Sequence, residues 1–271
     1  MEIDVSGIKE GQRRMWTAGD YAEIARTIVA AAELVVERAQ AAPGMSLLDV
    51  ATGSGNVAIP AAGAGASVTG LDLTPRLLEV ARERAADAGL DVSFVEGDAE
   101  ELPFEDASFD RVTSCFGVMF APRQRVAAAE LARVARPGAR VVFAAWTPGG
   151  LNGQMFKTIG SHMPPPPPEL MPATMWGDEG HVRTLFADTG AELTFERHFV
   201  TFEHDSPESW LAYNERLLGP TIMAKAALEP QGRWEGLRNE LLELYTEVNE
   251  AGDGDFRARS EYLLTVAQMP A

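Results

Sequence analysis

From residue 45 to residue 146 the chain alternates short apolar runs with amphipathic segments, and few folds accept that rhythm. MSLLDVA (45–51), ASVTGLDL (66–73), DVSFVEGD (91–98), FDRVTSCFG (109–117) and RPGARVVFAAW (136–146) read as strands. Between them, residues 75–88 and 123–135 read as helices. Pro75 suits a first helical turn and Gly89 supplies a stop, while Leu78, Ala81 and Ala85 form one apolar stripe. Strands alternating with helices imply a parallel sheet covered on both faces.

The flanks keep a different pattern. Residues 20–41 read as one helix, with Asp20 as cap and Glu23 three residues on, before Pro43-Gly44 breaks the chain. After Trp146 comes a stiff run from Pro164 to Pro168, then a helix near 179–189 and a strand-like stretch at 191–204. Residues 207–250 look largely helical, and 261–269 reads as a final strand. The expected organisation is a helical segment (1–44), an α/β core (45–150) and further strands and helices of the same domain (151–271).

Composition narrows the partners. A formal net charge of -17 disfavours nucleic acid and anionic membranes, and no local basic patch offsets it. An uncharged or cationic small molecule is the easier ligand. Cys115 is the only cysteine, which rules out an internal disulfide and a multi-cysteine zinc site. The first residues lack a signal-peptide pattern and no apolar run approaches about 20 residues, so a cytoplasmic protein, monomer or homodimer, is expected.

Three motifs sit at strand ends. In Asp49-Val-Ala-Thr-Gly53-Ser-Gly55-Asn-Val-Ala58 the glycines permit a sharp turn and close approach to a ligand. The spacing of Gly53, Gly55 and Ala58 also fits a dinucleotide fingerprint. Asp49 shifts the balance, because a carboxylate beside a pyrophosphate is repelled whereas one beside an ammonium is favoured. S-adenosylmethionine (SAM) carries an ammonium and no phosphate. Asp72, ending the second strand, can accept from both ribose hydroxyls of a nucleoside, with Leu73 as an apolar surface for the base. Asp98, after the third strand, can accept from an adenine amino group. Singly, Asp72 and Asp98 also read as turn residues. Together they mark the end of an open sheet where ligands bind.

On LLDVATGSGN, VTGLDLTP, GDAEELPFEDASFDRV and RVARPGARVVF, residues 46–146 resemble the class I SAM-dependent methyltransferases, in particular the branch similar to ubiquinone/menaquinone-biosynthesis C-methyltransferases. The resemblance implies a Rossmann-like α/β fold with a seven-stranded, mostly parallel sheet, helices on both faces and helical additions. It implies that Ala51, Gly53 and Gly55 border the methionine end of SAM, that Asp72 holds the ribose, and that Asp98 and Ala99 hold the adenine. Ser114 and Phe116 would line the sulfonium side. QRRMWTAGDY (12–21) resembles a segment that folds over the cofactor, with Trp16 and Tyr21 as contacts or as aromatic packing. Pro60 departs from the family's usual helix former, but it falls in a first helical turn, where a missing N–H costs little.

For such a reaction the protein aligns acceptor and methyl donor and excludes water. A general base is needed only where the acceptor must lose a proton, and His162, in the region of the acceptor pocket, is the candidate. His198 and His204 share a strand face, with Glu196 or Asp205 as neighbours, a spacing that is not diagnostic of metal. Met155, Phe156, Met163, Met171, Met175 and Trp176 suit an apolar pocket wall or a core. The acceptor is expected to be a small apolar or aromatic molecule. A SAM-binding protein without transfer, or an NAD(P)-dependent oxidoreductase, remain as alternatives at this stage.

Overall fold

The expected alternation is present as β1 (Ser46–Val50), α4 (Ala58–Gly63), β2 (Ser67–Asp72), α5 (Pro75–Asp87), β3 (Ser93–Glu96), β4 (Phe109–Cys115), α6 (Gln124–Val134) and β5 (Ala135–Trp146). The computed structural model describes residues 4–252 and 254–271. Before β1 lie α1 (Val5–Thr17), α2 (Tyr21–Arg26) and α3 (Val29–Ala39). After β5 come α7 (Leu151–His162), α8 (Glu179–Leu185), β6 (Glu192–His204), α9 (Pro207–Leu217), α10 (Gly219–Leu228), α11 (Trp234–Glu247) and β7 (Phe256–Gln268).

The strands form one seven-stranded sheet in the order β3-β2-β1-β4-β5-β7-β6. β1 to β5 run parallel, and β7 is antiparallel to both neighbours. From β1 the chain moves outward to β2 and β3, then returns to place β4 on the other side of β1. That reversal opens a crevice at the carboxyl ends of β1 and β4, where ligands bind in sheets of this kind. Central strands are apolar on both faces: Leu47, Leu48 and Val50 of β1 are buried, as are Val141, Val142 and Phe143 of β5.

Three departures from the sequence reading have local causes. The helix expected over 20–41 is two helices, broken at Thr27-Ile28, where the Thr27 hydroxyl donates to the Ile24 carbonyl (2.7 Å). Asp20 does cap α2, accepting from the Glu23 N–H (3.2 Å), while the Glu23 carboxylate pairs with Arg26 (3.1 Å). β7 starts at Phe256 rather than 261, because buried Phe256, Ala258 and Ser260 alternate with exposed Arg257 and Arg259. α7 had no sequence assignment. Gly153 within it is obligatory, since a Cβ there would lie 2.3 Å from the Thr147 carbonyl oxygen.

Candidate functional site

Three adjoining cavities lie at the carboxyl ends of β1, β2 and β4. The first, of about 670 Å³, runs along the ends of β1 and β2 beneath α1. A second, of about 610 Å³, lies among α2, α7, α9 and α11. A third, of about 310 Å³, is lined by Asp49, Ala51, Gly53 and Cys115. Tyr21 borders all three.

The glycine turn after β1 is held by the end of β2. The Gly53 N–H donates to one oxygen of Asp72 (2.8 Å) and the Thr74 N–H to the other (2.8 Å). Each carboxylate oxygen keeps a lone pair for a further donor. Burial raises the Asp72 carboxyl above its usual range, and the hydrogen bonds from Gly53 and Thr74 pull it back. Gly53 has φ +56°, and a Cβ there would stand 3.4 Å from the Tyr21 ring. Of the four non-glycine residues with positive φ among the described residues, two are here: Ala51 (φ 53°) directly follows β1 and Phe116 (φ 55°) directly follows β4. Such a conformation costs roughly 1–2 kcal/mol per residue. Strain of this kind gathers at functional sites. Gly117 lets these two strand ends close on each other, because a Cβ there would lie 2.5 Å from the Ala51 carbonyl oxygen.

Asp49 is 1% exposed. It accepts from the hydroxyls of Thr52 (2.5 Å) and Thr113 (3.0 Å), the latter placed by the pairing of β1 with β4. Burial pushes its carboxyl up to about 7, against the pull of these hydroxyls and of the Ala58 N–H.

At the far end, Leu73, Thr74, Asp98 and Ala99 line the first cavity. Asp98 was expected to accept from an adenine amino group, and in the structure each of its oxygens already has one donor. One accepts from the Glu100 N–H (2.9 Å) and the other from Lys9 Nζ (2.5 Å). Lys9 also meets the buried Glu100 carboxylate (2.5 Å), which in turn holds Arg123 (2.7 Å). Sequence reasoning missed Lys9, whose partners lie some 90 residues away. Gln12 and Arg13 add hydrogen bonds to the carbonyls of Phe120 (2.5 Å) and Leu73 (3.2 Å). α1 is therefore a lid latched across the cavity. Losing two charge-assisted contacts in Lys9→Met is expected to speed dissociation of S-adenosylhomocysteine about tenfold. Stopped-flow fluorescence would measure it, and an unchanged off-rate would show that Lys9 does not hold the lid.

Trp16 and Tyr21 stand at the junction of the first two cavities, ring edge to face with centroids 5.2 Å apart. Phe116 stacks on Trp146 (3.8 Å) and lines both cavities. Three expected residues lie elsewhere. Gly55 (φ +85°) faces Ile59 and Ala81, where a Cβ would be crowded at 3.0 Å, so it serves helix packing rather than the cavity wall. The Ser114 hydroxyl donates to the Val50 carbonyl (2.7 Å) and accepts from the Val118 N–H (2.9 Å), a brace between β1 and the following turn. His162 closes α7, its ring against Glu240 (3.0 Å), and it lines none of the three cavities.

Other candidates divide in the same way. Met155 and Phe156 line the second cavity, Trp176 is core against Phe143, and Met171 is exposed. His198 contacts Glu196 (3.0 Å) and His204 contacts Ser209 (2.5 Å), so the two histidines have separate partners. Cys115 borders the third cavity, and burial pushes its thiol well up.

These cavities suit a long ligand that carries an ammonium and no phosphate. Asp49 and Asp72 are buried carboxylates beside the glycine turn, and the cation lining the first cavity, Lys9, is already paired. A pyrophosphate would meet repulsion there. Comparison with known proteins agrees. A family described as a methyltransferase domain matches residues 48–143. Over 103 residues the chain is 48% identical to the ubiquinone/menaquinone biosynthesis C-methyltransferase UbiE of Brucella anthropi, covering 36% of this chain and 39% of that one. The chain belongs to the class I SAM-dependent methyltransferases.

The methyltransferase has a full-length relative as well. Protein Rv1405c of Mycobacterium tuberculosis is 38% identical over 259 residues, 94% of this chain and 93% of that one. The fold matches a crystal structure of a putative methyltransferase from Bacillus halodurans at a TM-score of 0.61 and 22% identity, covering 89% of this chain and 99% of that one. SAM is its cofactor. No helix among the described residues is long and apolar enough to cross a membrane.

Proposed function

We propose that the methyltransferase methylates a small apolar or aromatic molecule held in the second cavity. The supporting observation is the wall this cavity shares with the first, made of Trp16, Tyr21, Phe116 and Phe120. An acceptor there would lie directly beside the cofactor. Asp72 would hold the ribose, Leu73 and Ala99 the adenine, and Asp49, Ala51 and Gly53 the amino-acid end. Asp98 would meet the adenine edge jointly with Lys9. When bound, SAM supplies a methyl group already activated on a sulfonium.

The chain's own residues then orient and enclose. α1 covers the cofactor cavity, and Trp16 and Phe120 close the junction with their rings 4.8 Å apart. Holding the reactants in line within a dry site accounts for much of the expected rate, and mutations that loosen the walls should lower it. Tyr21 sits where the cavities meet, with its phenol pushed up by burial and by the nearby Cys115 and Asp72. It stays protonated and serves as a donor rather than a base.

Titration calorimetry with SAM, S-adenosylhomocysteine and NADH tests this reading, followed by an assay of S-adenosylhomocysteine formation with small aromatic acceptors. Binding of both adenosyl ligands without NADH, and turnover with at least one acceptor, is expected. Binding without turnover across amines, phenols and acidic carbon compounds would overturn the transfer step.

One wall residue gives a sharper readout. Tyr245 lines the second cavity, is fully buried, and its hydroxyl has no partner among the described residues. A buried hydroxyl without a partner is costly, and a bound acceptor with a polar atom would relieve it. Tyr245→Phe is expected to raise KM for the acceptor about fivefold while leaving S-adenosylhomocysteine affinity unchanged. Steady-state kinetics would check this, and an unchanged KM would remove Tyr245 from acceptor recognition.

A further inference from the structure

The second cavity is strongly aromatic and holds no ionised group. Nine of its seventeen lining residues are Phe, Tyr or Trp. Among the described residues, no Asp, Glu, His, Lys, Arg or Cys lines it. Its polar contributors are Thr27, Asn152, Asn214 and the two tyrosines. Asn214 donates through Nδ2 to the Trp210 carbonyl (3.0 Å). Burial pushes both tyrosine hydroxyls up, so neither takes a proton near neutral pH. Asp49 and Cys115 border the third cavity, not this one.

Those walls discriminate among acceptor chemistries. A phenol or a carbon acid must lose a proton before or during methylation, and no lining group can take it. An acceptor that arrives already anionic would have only the sulfonium as counter-ion, with no cationic side chain on the walls to draw it in or hold it. A neutral lone pair needs neither a base nor a counter-ion. Aromatic faces add a positive preference, because their quadrupoles attract a cation that has shed its water. The net charge of -17 also favours cations at long range.

Resting on the methyl-transfer reading above, we infer that the acceptor atom is an uncharged amine or heteroaromatic nitrogen, and that the aromatic walls receive the positive charge. The nitrogen lone pair forms the new N–C bond as the S–C bond breaks, and the departing electron pair stays on sulfur. One positive charge is present before and after; it moves from sulfur to nitrogen, into the cage. Where the nitrogen still carries a hydrogen, that proton leaves to water after product release. Before transfer, desolvation and the neighbouring sulfonium both keep the amine neutral.

The test uses the protein loaded with S-adenosylhomocysteine, so that the cage is read in its product state. Calorimetry compares phenyltrimethylammonium with tert-butylbenzene, its uncharged carbon isostere, in moderate salt that screens long-range attraction. The cation is expected to bind about tenfold more tightly than the isostere, with the preference shrinking severalfold in Phe156→Leu and Phe202→Leu. Both phenylalanines line the second cavity and not the first, so retained S-adenosylhomocysteine binding reports that the variants are folded. Equal or tighter binding of tert-butylbenzene overturns the inference, as does a cation preference that both leucine variants keep. Failure to load S-adenosylhomocysteine at all would instead count against the methyltransferase reading.

Discussion

Replacing Asp72 with asparagine is expected to weaken S-adenosylhomocysteine binding about a hundredfold or more, because two charge-assisted hydrogen bonds disappear at once. In the protein as it stands, each oxygen of Asp72 accepts one backbone N–H, from Gly53 and from Thr74, and has room for one ribose hydroxyl. Asparagine keeps one acceptor and turns an NH2 group toward a backbone N–H. Whichever way the amide turns, either the glycine turn or the start of α5 loses its anchor, and the ribose loses one acceptor. Asp72→Ala removes both acceptors and is expected to bind no more tightly than Asp72→Asn. Calorimetry with folding checked by circular dichroism measures both variants. An affinity within about threefold of the parent would mean that the ribose is held by other groups, since even one such bond carries more than that.

How far the sequence reached depended on the range of the interaction. β1, β2 and their glycine turn were readable because the signal is local: an apolar run, a positive-φ glycine and an acidic residue at a strand end. Asp72 and Gly53 were named from motifs, and their mutual hydrogen bond follows from the pairing of β1 with β2. Lys9 was invisible because nothing in the sequence around it announces Asp98 or Glu100 as partners. Ser114 and His162 show another limit. Both stand in the expected stretch of chain, but strand facing turns the Ser114 hydroxyl inward and Glu240 draws the His162 ring away. The second cavity was the least legible part. Its walls come from α1, α2, α7, α9 and α11, from Phe202 of β6 and from the ends of β4 and β5, and only tertiary packing assembles them.

Asp49 sets stability and ligand binding against each other, and its titration is expected to expose the conflict. Burial is the main cause of its rise to about 7, with Asp72 adding repulsion and Thr52, Thr113 and the Ala58 N–H opposing it. An unfolded aspartate titrates near ~4. Between these values the folded chain holds a proton that the unfolded chain releases, so this group's contribution to stability falls as pH rises from about 4 to 7. Above that window the penalty is complete, on the order of a few kcal/mol. Asp49→Asn carries no charge to bury and is expected to melt higher than the parent at pH 8, with the difference closing toward pH 4. Ligand binding should move the opposite way. An ammonium seated in the third cavity would favour the carboxylate, lower its pKa and expel the proton. The affinity of S-adenosylhomocysteine is therefore expected to rise about tenfold from pH 6 to pH 8 in the parent and to stay flat in Asp49→Asn. Cys115 and Tyr21, the other titratable groups on that cavity, keep their protons over this range and do not mimic the effect. Calorimetry at pH 6.5 in two buffers of different ionisation enthalpy would count the proton released. An equal pH dependence in parent and variant would detach Asp49 from the ammonium and leave it as a brace for Thr52 and Thr113.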